Sequence, residues 1–208
     1  MTTFPALPLR NYAQARADIR NGDLLMASGD YMFSRLIQRA TGSCWSHVAF
    51  VMRLDEIDRV MVLESIESKG VRTIPLSEYV SNFEGTGRGY QGRLALARHR
   101  QFERQHTPQR MTAMAQFAVD RFARPYDEEE IARIVARIAG SFLGFTPGEM
   151  RRNEEYICSE YVYECYRCFG LQVQHNALGF ISPADFARES EVDLLFEIEV
   201  AGRDDGSA

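Results

Sequence analysis

The 208-residue chain reads as one α+β domain. Two observations predict this. Three β-prone runs, at residues 44–52, 60–66 and 71–76, follow one another across short polar turns, as antiparallel neighbours do. Later stretches at 108–122 and 156–169 carry apolar side chains at helical spacing instead. No internal repeat, low-complexity segment or linker divides the chain, so the expected unit is residues 1–208, with a core of about 20–201 and a flexible tail at 202–208.

Taken in order, residues 11–20 predict a short amphipathic helix, closed by the Asn21-Gly22-Asp23 turn. Leu24-Leu25-Met26-Ala27 predicts a buried strand, followed by a turn at Ser28-Gly29-Asp30. Residues 31–40 place Phe33, Leu36, Ile37 and Ala40 at helical spacing. The run 44–52 predicts a central strand with His47 near its start, and 60–66 a hairpin partner. Residues 71–76 form a third strand after Lys69-Gly70, and 77–83 a helix. A glycine-rich loop at 84–91 precedes an alternating strand at 92–98. Residues 108–122 are helical, Asp127 caps a helix over 128–139, and 142–152 is irregular. Ser182-Pro183 opens a helix with proline at its first position, and 194–200 is a final strand.

Composition sets the outer bounds. With 45% apolar and 25% charged residues the chain is an ordinary globular protein. A net charge of −5 speaks against a nucleic-acid binder, which shows a basic face. The N-terminus carries no secretory pattern, and no apolar run is long enough for a transmembrane segment, so the expected location is cytoplasmic, with signal-independent export as the alternative. The cysteines are Cys44, Cys158, Cys165 and Cys168, the last three on one predicted helix. Cys158 and Cys165 lie two turns apart, too far to bridge within it, so no disulfide framework is expected.

That helix carries the chemistry. Cys158, Val162, Cys165 and Phe169 share one face, and Gly170 stops it. Cys158 therefore stands at the N-terminus, where unpaired N–H groups and the helix dipole favour a thiolate. Most buried cysteines are inert packing, and a nucleophilic one needs a base oriented by a third group. His47 stands in a β-rich run. Glu64 interrupts an apolar strand, where a carboxylate is costly unless paired. Alternation allows Glu64 either to face solvent or to face His47 across paired strands; the proximity of His47 favours pairing. His99 and His106 lie in a charged, surface-like stretch and His175 in a loop, so they are weaker candidates. Cys165-x-x-Cys168 has no second pair to complete a zinc site and is read as packing.

Four motifs, Gly22-Asp23-Leu24-Leu25, Trp45-Ser46-His47-Val48-Ala49-Phe50-Val51, Val62-Leu63-Glu64 and Tyr156-Ile157-Cys158-Ser159-Glu160-Tyr161-Val162, stand in this order. The set resembles the NlpC/P60 superfamily of papain-like cysteine hydrolases, and more closely its circularly permuted, YiiX/YebB-like branch, in which the histidine strand precedes the cysteine helix. The resemblance runs from about Gly22 through Asp185. It implies a permuted papain-like fold, an antiparallel sheet or half-barrel packed against the cysteine-bearing helix and further helices. It also implies roles: Cys158 the nucleophile, His47 the base, Glu64 the orienting acid. No cofactor and no metal are expected. Tyr126 is a wall of the site or a core aromatic.

Four functions are then open. The first is an amidase or peptidase working through an acyl-enzyme, on a cell-wall peptide or a γ-glutamyl or isopeptide linkage. The second is a lipid thioesterase or acyltransferase using the same cysteine, its chain lying along Phe142, Leu143 and Phe145. The third is a non-catalytic ligand-binding module, and the fourth a structural zinc protein. The expected partner is a small peptide, amide or acyl substrate, with oligomeric state left open.

Overall fold

The computed structural model describes residues 2–67, 69–125, 157–174 and 180–202. Seven strands form one open sheet: β1 (Leu9–Arg10), β2 (Leu24–Gly29), β3 (His47–Leu54), β4 (Arg59–Ile66), β5 (Gly70–Pro75), β6 (Gly92–His99) and β7 (Val192–Ile198). Their order is β1-β7-β6-β2-β3-β4-β5, and every pairing is antiparallel except β1 with β7. The described helices are α1 (Tyr12–Ala15), α2 (Met32–Thr41), α3 (Leu76–Ser81), α4 (Arg100–Arg104), α5 (Pro108–Val119), α6 (Cys158–Phe169) and α7 (Pro183–Arg188). Mixed α+β architecture is thus as expected, with the sheet open.

Both faces of the central strands are buried, which is why β2 reads as an unbroken apolar run. Leu24, Met26, Val48 and Phe50 face a cluster completed by Met114 and Ala118 of α5 and by Tyr161, Val162, Cys165 and Phe169 of α6. Leu25, Ala27, Ala49, Val51, Val60 and Val62 face the other way, against Leu76 and Tyr79 of α3. The two tyrosines of α6 that enter the first cluster keep their hydroxyls satisfied. Tyr161 donates to Ala118 O at 3.0 Å, and Tyr166 to Gly22 O at 2.6 Å.

Several boundaries differ from expectation for local reasons. The first helix is only Tyr12–Ala15, capped by the Asn11 side chain on Gln14 N. Beyond it, the Asp23 carboxylate takes the Arg20 N–H and draws the chain into turns. Ser28 and Gly29 stay in β2, paired with Arg93 and Gly92, so the turn falls later. The histidine strand starts at His47 rather than Cys44, because Gln38 of α2 holds the Cys44 carbonyl at 3.0 Å and keeps residues 44–46 in a buried loop. The strand β1 and the helix α4 were not expected; both are short and gain their order from pairing and packing rather than periodicity. The predicted helix over 128–139, the irregular stretch 142–152, Tyr126, His175, the Phe142-Leu143-Phe145 cleft and residues 203–208 of the tail lie outside the described residues.

Candidate active site

β3 and β4 bond from Phe50↔Leu63 to Leu54↔Arg59. His47–Ala49 and Glu64–Ile66 lie beyond the last rung, so the site is built where the two strands part. There His47 Nε2 stands 2.8 Å from Glu64 Oε2. Glu64 is fully buried, and the His47 side chain is 14% exposed. The solvent-facing alternative for Glu64 is therefore excluded.

The carboxylate is held from three sides. Arg72, directly opposite on β5, donates from Nε to Oε1 at 2.9 Å, with Nη2 2.8 Å from the same oxygen. Tyr79 of α3 donates its hydroxyl to Oε2, the oxygen that also faces His47. Arg72 in turn holds Glu84 Oε1 at 2.6 Å, and Glu84 pairs with Lys69. Burial alone would push the Glu64 carboxyl up; its bond to His47, the His47 and Arg72 charges and the Tyr79 hydroxyl hold it below its ordinary value.

Cys158 is the first residue of α6, as the spacing and Gly170 predict; Gly170 caps the far end at φ 98°. Ile157 is the extended N-cap residue, and its N–H meets the Glu160 carboxylate at 3.5 Å. Ser159 fixes the same turn by donating to Ile181 O at 2.8 Å. The helix packs against Val48, Phe50 and Leu63, on the sheet face opposite to that of Ala49, Val51 and Val62, and its N-terminal residue meets His47. Cys158 there lies within hydrogen-bond reach of the His47 imidazole. Burial pulls His47 down, but Cys158 and Glu64 together outweigh it and raise the imidazole to about 10. With Nε2 engaged by Glu64, Nδ1 is the nitrogen left for the sulfur.

The arrangement can deprotonate a thiol, hold the imidazolium in place and return its proton to a leaving group. Arg72 and Tyr79 were not read from the sequence. Arg72 left a trace, a lone cation inside a strand neighbouring the buried acid, whereas Tyr79 sits on a helix 15 residues from Glu64 and left none.

The remaining candidates lie apart. His99 is buried rather than surface-lying, which corrects the expectation: its ring packs edge-on against Tyr166, accepts from Gln101 N at 3.2 Å, and is held below its ordinary pKa by burial. His106 is exposed. Cys44, Cys165 and Cys168 are free thiols, as is Cys158. Burial pushes all three of the former upward, Cys165 well above its ordinary value. Asp23 is more than a turn residue, since its buried carboxylate binds Arg98 Nε at 2.6 Å. Among the described residues, no group of three or more His, Cys, Asp or Glu side chains gathers to hold a metal ion. No helix among them is long and apolar enough to cross a membrane.

Comparison with known proteins agrees with the fold. The crystal structure of YiiX from Escherichia coli O157:H7, described as a metalloprotein, superposes with a TM-score of 0.59, covering 85% of this chain and 96% of that one at 18% identity. At that identity the likeness concerns the fold. No curated protein matches the sequence. Residues 18–179, which include His47, Glu64 and Cys158, match the family described as "Permuted papain-like amidase enzyme, YaeF/YiiX, C92 family". With most of its length matched, the chain belongs to the permuted papain-like amidases and is an enzyme of the cysteine hydrolase type.

Proposed function

We propose that the protein hydrolyses an amide through an acyl-enzyme, with Cys158 as nucleophile, His47 as base and then acid, and Glu64 as the group that orients the imidazole. One observation carries the proposal: the same imidazole is engaged by Cys158 on one side and by the buried Glu64 carboxylate on the other.

The steps follow from this arrangement. His47 takes the thiol proton, and the Cys158 sulfur attacks the carbonyl carbon. The C=O π pair moves onto oxygen, where the N–H groups at the start of α6 stabilise the charge. The tetrahedral adduct collapses, the C–N bond breaks, and His47 gives its proton to the departing amine. Water, deprotonated by His47, then attacks the thioester; the C–S bond breaks, and thiol and acid are released. Glu64 stays ionised throughout and stabilises the imidazolium.

The test is alkylation with iodoacetamide near neutral pH, mapped by mass spectrometry. The expected result is modification of Cys158 ahead of Cys44, Cys165 and Cys168, with the preference lost in His47→Ala. Equal modification of the four sulfurs in the unaltered protein would overturn the proposal.

A further inference from the structure

A pocket adjoins Cys158. It is walled by Ile37, Ala40 and Thr41 of α2, by Ile157, Cys158 and Ser159 at the start of α6, and by Phe180–Pro183. Three hydroxyls border it, and each is committed elsewhere. Thr41 donates to Ile37 O at 2.9 Å, Ser159 to Ile181 O at 2.8 Å, and Ser182 meets Asp185 Oδ2 at 2.7 Å. What remains facing the space is hydrocarbon from Ile37, Ala40, Ile157, Phe180, Ile181 and Pro183.

We infer that this pocket takes a small apolar side chain of the substrate, borne on the acyl side of the bond that Cys158 attacks. The inference rests on the proposed role of Cys158. Direction follows from the lining. His47, which must face the leaving amine to protonate it, is not among the residues that border the pocket. The group that enters it therefore belongs to the half retained on sulfur. Size follows from the volume, about 30 Å³. A dry cavity that binds benzene has about 150 Å³, and one water needs about 10–15 Å³. Among the described residues the space suits one to three carbons better than a benzyl group.

The probe is a set of N-acetylated glycyl, alanyl, leucyl and phenylalanyl chloromethyl ketones, with adduct formation at Cys158 followed by intact mass. The thiolate attacks the chloromethyl carbon, a C–S bond forms and chloride leaves, so no turnover is needed. The alanyl reagent should react at least about tenfold faster than the phenylalanyl one, since even one surplus methylene in an apolar pocket is worth about that much. Ala40→Leu, at a partly exposed helix position, should erase the alanyl advantage and leave the glycyl rate unchanged. Ile37→Ala should move the optimum toward the leucyl reagent. Equal rates across the series, or a uniform loss in Ala40→Leu that includes the glycyl reagent, would overturn the pocket assignment while leaving the nucleophile intact. Failure of every reagent to modify Cys158 would overturn the nucleophile and the pocket assignment together.

Discussion

Tyr79 and His47 share one oxygen atom: both are hydrogen-bonded to Oε2 of the buried Glu64. A carboxylate with a fixed donor on that oxygen keeps one orientation, and the imidazole bonded to it keeps one too. Tyr79→Phe should therefore lower kcat about tenfold with KM nearly unchanged, since only the alignment of His47 is altered. Stability should fall by about 1–3 kcal/mol, the usual cost of stripping one partner from a buried acceptor. Steady-state kinetics and urea denaturation read the two effects; a KM change larger than the kcat change would contradict the assigned part.

Arg72 neutralises the same carboxylate through its other oxygen and links it to Glu84. Arg72→Met should cost about 3 kcal/mol, as breaking one side of a buried ion pair does. Arg72→Lys should recover only part of this, because an ammonium cannot reproduce the planar fork. Glu64 should then titrate at higher pH than in the unaltered protein. NMR of the side-chain carboxyl would register that rise, and an unchanged Glu64 titration would refute it.

The pH dependence of stability follows from two opposite shifts. The imidazole of His47 is raised to about 10 in the folded state, so its contribution is full below its ordinary value and is lost as pH rises toward 10. The Glu64 carboxyl is lowered, so its contribution is present above its ordinary value and is lost as pH falls through the folded-state value. Urea midpoints should decline at both ends. In His47→Gln the decline between about pH 7 and 10 should flatten, whereas an unchanged slope would exclude His47 as its source.

Gly22 has φ 80°, and a Cβ there would fall 2.2 Å from the Phe102 ring. Its carbonyl also accepts from Tyr166 of α6. Gly22→Ala should destabilise by about 1–3 kcal/mol through strain and displacement of Phe102. Because the site lies at the opposite end of β2 and α6, iodoacetamide should still select Cys158. Loss of that selectivity in a folded variant would show coupling along the helix that the packing does not predict.

Much of this was legible before any coordinates. The helix that starts at Cys158 and stops at Gly170 follows from a four-residue apolar spacing and a left-handed cap. The strands through His47 and Glu64 follow from β-branched and aromatic runs bounded by turns. His99 shows the limit. Its charged neighbours suggest a surface, yet it is the last residue of β6 and sits under Tyr166, a partner 67 positions away. Arg72 and Tyr79 were hidden for the same reason: strand pairing and the turn of α3, not chain neighbours, bring them to Glu64.

Periodicity, caps and residue chemistry were enough to say which segments become strands and helices and which side chains could do chemistry, because those properties are set within a few residues. They could not say which side chains meet. Alternation places His47 with Ala49 and Val51, and Glu64 with Val60 and Val62, on the sheet face away from α6. With both faces buried, no polar–apolar rhythm marks which one carries the site. Contact with Cys158 arises where β3 and β4 no longer pair, and there a helix N-terminus from one face meets an imidazole belonging to the other.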